Sequence, residues 1–292
     1  MKLGLVYPQV ELRGDPQAVH DIGVGAEESG FDYLLVYDHV VGAEHANREP
    51  PLWGPYTERD PFHEPLVMFG YLAGVTSRIE LATGVMILPQ RQTVMVAQQA
   101  SDADLFSRER VRLGVGTGWN YVEYDALGQD FASRGARLDE QIELLRRLWA
   151  EPLVTFDGRF DRLERACINP RPRRQIPIWI GGFAEPAYRR GGRLGDGFTF
   201  AGDVDAALDG MTRVHHHLSE AGRSADGFGL ELIATRARST ADVAETAERW
   251  RAAGGTHVSV LTIKLGLDTA EAHLDYARAA KDALDTRLGT RS

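Results

Sequence analysis

The sequence predicts an α/β fold, a closed (β/α)8 barrel of the TIM type, and three observations carry that expectation. Short apolar runs of β character alternate with longer amphipathic stretches eight times in succession, without a break in composition. The length, 292 residues, suits one such barrel, which typically needs about 250. The first apolar run ends in Tyr7-Pro8-Gln9, without the glycine fingerprint that a doubly wound open sheet would carry there. The expected organisation is one domain over residues 1–292, with an extended loop after strand two and an insertion before strand five.

Residues 3–7 are a buried-strand run, and residues 15–29 have helical spacing with Gly30 as the stop. Strand two covers 31–36. A Pro-rich, aromatic segment over 41–65 precedes a short helix over 66–75. Strand three covers 79–85 and its helix 93–106; strand four covers 111–115, and a strongly periodic helix covers 134–149. Residues 151–175 form a second long excursion, rich in Pro and Arg. The remaining pairs are 176–180 with 185–194, 197–200 with 205–221, 229–234 with 241–253, and 257–261 with 268–284. Connections as long as the two excursions are usually functional in a compact domain.

Composition excludes several classes. The 33 basic and 42 acidic residues give a net charge of −9, which does not suit a protein that neutralises nucleic-acid phosphates. The basic run at 171–174 is broken by Pro172 and reads as a solvated loop. Cys167 is the single cysteine, so no intrachain disulfide forms, and it reads as a half-buried structural thiol. No stretch approaches 18 uninterrupted apolar residues and the N-terminus lacks signal-peptide character, so the expectation is a cytoplasmic protein without a membrane partner. His215-His216-His217 cannot converge on one ion, because consecutive helical residues point about 100° apart; they read as a polar helix face, and no metal is expected.

In a barrel the chemistry sits on the loops that leave the C-terminal ends of the strands. Asp38-His39 closes strand two, where a carboxylate and an imidazole could bond a heteroaromatic ring and relay a proton. The same dipeptide reads equally as a strand-end cap beside a satisfied histidine. Thr83-Gly84-Val85 ends strand three, where glycine marks a bulge or a close backbone approach. Gly114-Val115-Gly116-Thr117-Gly118 follows strand four and would let backbone approach a planar ligand, or serve as a tight turn. Gly181-Gly182-Phe183 leads into a helix whose start is sharpened by Pro186, and free amides there suit a phosphate.

Taken in order, these segments resemble the luciferase-like monooxygenase superfamily, and within it the F420-dependent oxidoreductases. The matching residues are Asp38-His39, Ala82-Thr83-Gly84-Val85 with Leu88-Pro89, Leu113 to Trp119, Arg134-Gly135-Ala136-Arg137 with Asp139-Glu140, and Pro177 to Gly182 followed by Gly195-Asp196-Gly197-Phe198. They span about residues 3–200; the last third matches only as generic barrel. The resemblance implies a cofactor ring against strands three and four, touching Thr83, Gly84, Val85, Thr117 and Gly118, with a non-prolyl cis peptide at Gly84–Val85. It implies a phosphate on Gly181, Gly182 and Phe183, Asp38 bonded to the ring, and His39 as proton donor or acceptor.

The implied activity is hydride transfer between coenzyme F420 and a small organic substrate. FMN is the alternative cofactor, with a two-component monooxygenase using O2, and a catalytically silent flavin- or partner-binding barrel is the third reading. Sugar-phosphate dehydrogenases of this family carry Glu where Trp119 stands, and lysine occurs only at positions 2, 264 and 281. With Trp53, Tyr56 and Trp119 expected at the pocket, the substrate reads as flat or apolar. A homodimer is expected by resemblance alone.

Overall fold

We describe a computed structural model of the chain, covering residues 1–289. The chain opens with β1 (Lys2–Val6) and α1 (Pro16–Glu28), whose Asp15 cap accepts from the Gln17 amide and whose first position is proline. β2 (Tyr33–Val36) leads into residues 37–64, which hold neither helix nor strand, and then α2 (Pro65–Val75). β3 (Glu80–Thr83), β4 (Met86–Ile87), a 3-10 turn (Leu88–Gln90) and α3 (Thr93–Phe106) follow. Next come β5 (Val111–Gly116), α4 (Tyr121–Ala126), α5 (Arg134–Ala150), β6 (Val154–Asp157) and β7 (Arg162–Ala166). The second half is β8 (Ile178–Gly181), α6 (Glu185–Leu194), β9 (Gly197–Ala201), α7 (Val204–Glu220), β10 (Gly229–Ile233), α8 (Thr240–Ala252), β11 (His257–Val260) and α9 (Ala270–Leu288).

The main sheet runs β3-β2-β1-β11-β10-β9-β8-β5-β4, and the additional β3–β5 pairing closes it into the expected parallel barrel. β3 and β4 are two halves of one stave, so nine strands make eight staves. The break has a register signature. Leu81 pairs with Val111, an offset of 111 − 81 = 30, whereas Met86 pairs with Val115, an offset of 115 − 86 = 29. The third stave therefore carries one residue more than β5 between these pairings, a bulge spanning Thr83 to Val85. The Gly84–Val85 peptide in it is cis.

β5 shows why the stave faces are fixed. Val111, Leu113 and Val115 alternate outward into the layer shared with the helices, leaving Arg112, Gly114 and Gly116 for the interior. Inside, Val6, Tyr33, Leu35, Ala82, Ile233 and Ile263 pack together. Arg112 lies 4.8 Å from the centroid of the Tyr33 ring and 4.0 Å from that of Trp179. It bonds Glu80 and, at 3.0 Å, Glu231, whose carboxylate also accepts from Ser259 and Thr199. Losing one partner of such a buried pair costs about 3–5 kcal/mol, so this charge cluster pins the register of several staves.

Four expectations change. Strand three, read as continuous over 79–85, is split by the bulge. The excursion before strand five, read as irregular, contains the antiparallel hairpin β6–β7, held to α5 by the Glu140 carboxylate accepting from the amides of Arg159, Phe160 and Asp161. Cys167, read as half-buried, is exposed, because it lies just beyond the solvent-facing strand β7. His217, read as part of a polar face, is buried between Glu185 of α6 at 2.6 Å and Glu220 at 2.8 Å. Its pKa is raised, first by the Glu185 hydrogen bond and then by Glu220.

Candidate active site

Asp38 and His39, adjacent in sequence, take opposite directions at the end of β2. The Asp38 carboxylate is turned into the bulge, where one oxygen accepts from the Ile87 amide at 2.8 Å and the other from Arg91 at 2.7 Å. Arg91 continues to Glu64 at 2.8 Å, the residue that caps α2. Both Asp38 oxygens are thus engaged within the protein, and the side chain is buried. Its geometry is that of a brace between β2, the bulge and the start of α2, which differs from the ring contact implied by resemblance.

His39 points across the barrel mouth to α4. Its Nδ1 lies 3.0 Å from Oε2 of Glu123, a pair with side-chain exposures of 10% and 1%. Oε1 of Glu123 accepts from the amides of Val40 at 2.8 Å and Val41 at 3.1 Å, and Gln90 approaches Oε2 at 3.4 Å. Burial opposes ionisation of Glu123, but the hydrogen bonds from His39 and the two amides outweigh it and hold the pKa below its usual value. A carboxylate accepts only, so the proton between the pair belongs to Nδ1 of His39. Nε2 has no hydrogen-bond partner among the described residues and is not fully enclosed.

Three aromatic rings fix the imidazole laterally. Phe62 lies 4.8 Å from it, and Tyr56 and Trp119 5.4 Å, all near edge-on. Tyr56 and Phe62 belong to the 37–64 segment, which is tied down along its length. His45 bonds the Tyr56 carbonyl at 2.9 Å, Tyr121 donates to the Pro50 carbonyl at 2.6 Å, and the Trp119 indole lies where a side chain on Gly54 would collide with it. Trp53, expected in the same pocket, is 80% exposed and makes no ring contact with this cluster among the described residues.

The floor of the mouth is backbone. Thr83 donates its hydroxyl to the Gly114 carbonyl at 2.7 Å, so that group is used internally. The Val85 side chain projects toward β5 and β8, where a Cβ on Gly116 would meet it at 2.6 Å and one on Gly181 at 2.5 Å. Glycine is needed at both positions for this close approach. Thr117 offers its carbonyl to Tyr124 at 2.7 Å, and Gly118 has φ +62° beside Ile87.

Gly181, Gly182 and Phe183 lead into α6, whose cap Ala184 supplies no side-chain acceptor. The carboxylate of Glu185, which could have masked the helix end, is instead drawn to His217 and Arg213. Pro186 has no N–H and the Ala187 amide turns back to the Ala184 carbonyl at 2.8 Å, so the amides left for an anion are those of Gly182 to Glu185, beside a Phe183 ring that is 77% exposed. This donor set fits a phosphate-bearing planar cofactor: free amides at one side, a glycine-lined floor at the other. Among the described residues no group of three or more metal-ligating side chains occurs.

The structure thus brings His39, Tyr56 and Trp119 together, places Thr83 to Val85, Thr117, Gly118 and Gly181 around one floor, and sets Trp53 apart. Sequence reasoning does not single out Glu123, Arg91 or Gln90. The Glu123 partnership spans 84 residues, beyond any local signal. Position 119, where resemblance to the sugar-phosphate dehydrogenases would put a glutamate, holds Trp119, and Glu123 enters four residues further on.

A closed parallel barrel with a bulged third stave and a cis Gly84–Val85 peptide is the architecture that the resemblance to the luciferase-like class implies. A family model for luciferase-like monooxygenases matches residues 2–287, and the chain belongs to that family. An uncharacterized protein of Mycobacterium tuberculosis is 33% identical over 71% of this chain and 77% of its own. A protein of Segniliparus rotundus named F420-dependent glucose-6-phosphate dehydrogenase is 30% identical over 78% of this chain and 66% of its own. One of that name from Nakamurella multipartita is 32% identical, with 63% and 51% covered, so the chain spans about half to two thirds of these dehydrogenases. Among solved structures, an F420-dependent secondary alcohol dehydrogenase with an F420-acetone adduct superposes with a TM-score of 0.79 at 16% identity, covering 97% and 98% of the two chains. A monooxygenase of Streptomyces bottropensis gives 0.79 at 18%, covering 99% and 100%. Both show the same fold.

Proposed function

We propose that this protein is an oxidoreductase that exchanges a hydride between coenzyme F420 and a small, flat or apolar alcohol or carbonyl compound. The observation that carries the reading is the His39–Glu123 pair, buried on its Nδ1 side and, among the described residues, unpartnered on its Nε2 side, above a glycine-lined floor. Bound F420 would supply two-electron hydride exchange at its C5. The amides of Gly182, Phe183, Ala184 and Glu185 would hold its phosphate, and Gly116, Gly181 and the bulge would support its ring.

His39 moves the proton. As hydride leaves the carbinol carbon, the hydroxyl proton passes to Nε2; in the reverse direction Nε2 returns it to the carbonyl oxygen. Tyr56, Phe62 and Trp119 exclude water around the imidazole and offer ring edges to an apolar substrate. Of the three lysines, Lys2 pairs with Glu80 and Lys281 with Asp285, while Lys264 in the loop after β11 makes no ion pair among the described residues, so the preference for an uncharged substrate rests on the aromatic rings about His39.

The test is a side-by-side titration with F420 and FMN, followed by turnover of wild type and His39→Ala. Tight F420 binding, turnover of a hydrophobic alcohol or ketone, and a loss of about 10²–10⁴-fold in His39→Ala are expected, with F420 affinity within a few-fold. Preferential FMN binding would instead indicate an O2-using monooxygenase. Binding of neither would indicate a silent barrel, and turnover of sugar phosphates alone would overturn the substrate class.

The same proposal includes a cytoplasmic homodimer. No helix among the described residues is long and apolar enough to cross a membrane. α2 carries no charged residue, and it turns Val67, Tyr71 and Val75 outward beside Gly70 and Gly74, whose outer sides are open. Sedimentation should show a dimer at micromolar concentration that Tyr71→Asp dissociates; a wild-type monomer would overturn this part.

A further inference from the structure

We propose that Glu123 is the positioning residue of this site, fixing the proton of His39 on Nδ1 so that Nε2 is the nitrogen presented to substrate. The inference rests on the acid–base reading of His39 and deepens it by assigning a residue outside every motif that the sequence singles out. Three features of the geometry support it. Glu123 is buried, and its two oxygens serve different partners. Oε1 takes both backbone amides, of Val40 and Val41, and Oε2 takes His39 at 3.0 Å. The imidazole is packed edge-on by Phe62, Tyr56 and Trp119, with ring centroids 4.8–5.4 Å away. Nε2, the remaining nitrogen, has no protein partner among the described residues.

The division of the carboxylate makes the proposal sharp. In Glu123→Gln the two backbone amides still require an acceptor, so the amide oxygen must occupy the Oε1 position. The amide nitrogen then faces Nδ1 of His39 and donates to it. Nδ1 becomes an acceptor, the proton moves to Nε2, and the nitrogen offered to substrate loses its lone pair. The fold and the hydrogen-bond count are nearly preserved while the tautomer is reversed. Glu123→Asp keeps an acceptor-only group, one methylene shorter, and retains the original tautomer.

The experiment combines two readouts on the purified full chain. Long-range ¹H–¹⁵N spectra of protein labelled at histidine report the tautomer without cofactor or substrate, and steady-state kinetics with F420 report kcat and KM. The expected result is an Nδ1–H tautomer for His39 in wild type and an Nε2–H tautomer in Glu123→Gln. With that reversal, oxidation of the alcohol should lose about 10²–10⁴-fold in kcat, with KM and F420 affinity within about threefold. Glu123→Asp should recover at least a tenth of the lost kcat. A wild-type Nε2–H tautomer, an unchanged tautomer in Glu123→Gln, or equal losses in the Gln and Asp variants would overturn the proposal. If His39→Ala turns over like wild type, the acid–base reading itself falls, and the tautomer spectra separate that failure from a failure of the Glu123 assignment.

Discussion

Replacing Gly181 by alanine tests the approach of Val85 to the glycine-lined floor. A Cβ at Gly181 would stand 2.5 Å from Cγ1 of Val85, against the roughly 3.5–4.0 Å of ordinary carbon contacts. About 1 Å of displacement must therefore be absorbed by the bulge or by the start of the Gly181–Phe183 loop. Overpacking of this kind costs about 1–3 kcal/mol, a Tm shift of roughly 2–6 °C in a protein of this size. The same displacement misaligns ring floor and phosphate amides, and losing one charge-assisted hydrogen bond of about 1.5–3 kcal/mol weakens F420 binding by about 10–100-fold.

A second substitution makes the reasoning refutable. Val85→Ala removes Cγ1, and the next neighbours of the new Cβ are then Thr199 O at 3.6 Å and Val85 Cβ at 3.7 Å, both ordinary contacts. The double variant should recover most of the Tm and affinity lost by Gly181→Ala, giving a coupling energy of about 1–3 kcal/mol in a double-mutant cycle. Fluorescence titration with F420 and thermal unfolding of the four proteins measure it. Additive effects in both assays, or wild-type affinity in Gly181→Ala, would mean that the Val85–Gly181 approach does not shape the cofactor site.

Two further outcomes follow from carboxylates that accept backbone amides. Asp38→Ala leaves the largely buried Arg91 with Glu64 alone and the Ile87 amide without its acceptor, so Tm should fall by about 6–10 °C, whereas Asp38→Asn should lose less; a fall under 2 °C in Asp38→Ala would refute the brace. Glu27 ties α1 to the entry of β3 by accepting from the amides of Ser77, Arg78 and Ile79 and from the Ser77 hydroxyl. Burial opposes its ionisation, but these hydrogen bonds bring its pKa down to about 2. A carboxylate depressed in the folded state stabilises fully above the unfolded value of 4.5, and that contribution disappears as pH falls toward 2. After allowance for solvent screening, Glu27→Gln should cost about 1–2 kcal/mol at pH 7 and progressively less between pH 4.5 and 3. A difference from wild type that is constant over that range, in urea unfolding series, would contradict this account.

Fold and site differ in how far the sequence makes them legible. The eight strand–helix pairs are readable because each is written in local periodicity, and β5 illustrates it: all six residues are buried, and a pattern of period two sends Val111, Leu113 and Val115 to one layer and Arg112, Gly114 and Gly116 to the other. The glycine turns and the Ala184–Pro186 helix start are readable for the same reason, since backbone freedom and helix entry are properties of a few adjacent residues. The hairpin β6–β7 carries a local signal as well, alternating burial on either side of Asp157-Gly158, which the surrounding Pro and Arg residues mask. The resemblance places the cis peptide at Gly84–Val85, where it is found.

What the sequence by itself determined is the barrel, its hand-off points at the C-terminal ends of the staves, and His39 as the imidazole at one of them. Only the tertiary structure decided which way each polar group turns. Asp38 and His39 are neighbours, yet one reaches Arg91, 53 residues away, and the other Glu123, 84 residues away. Periodicity cannot report such pairings, because a hydrogen bond between distant segments depends on barrel closure and on the register offset at the bulge. The His39–Glu123 pair exists only once the 37–64 segment and α4 have been brought against each other across the mouth.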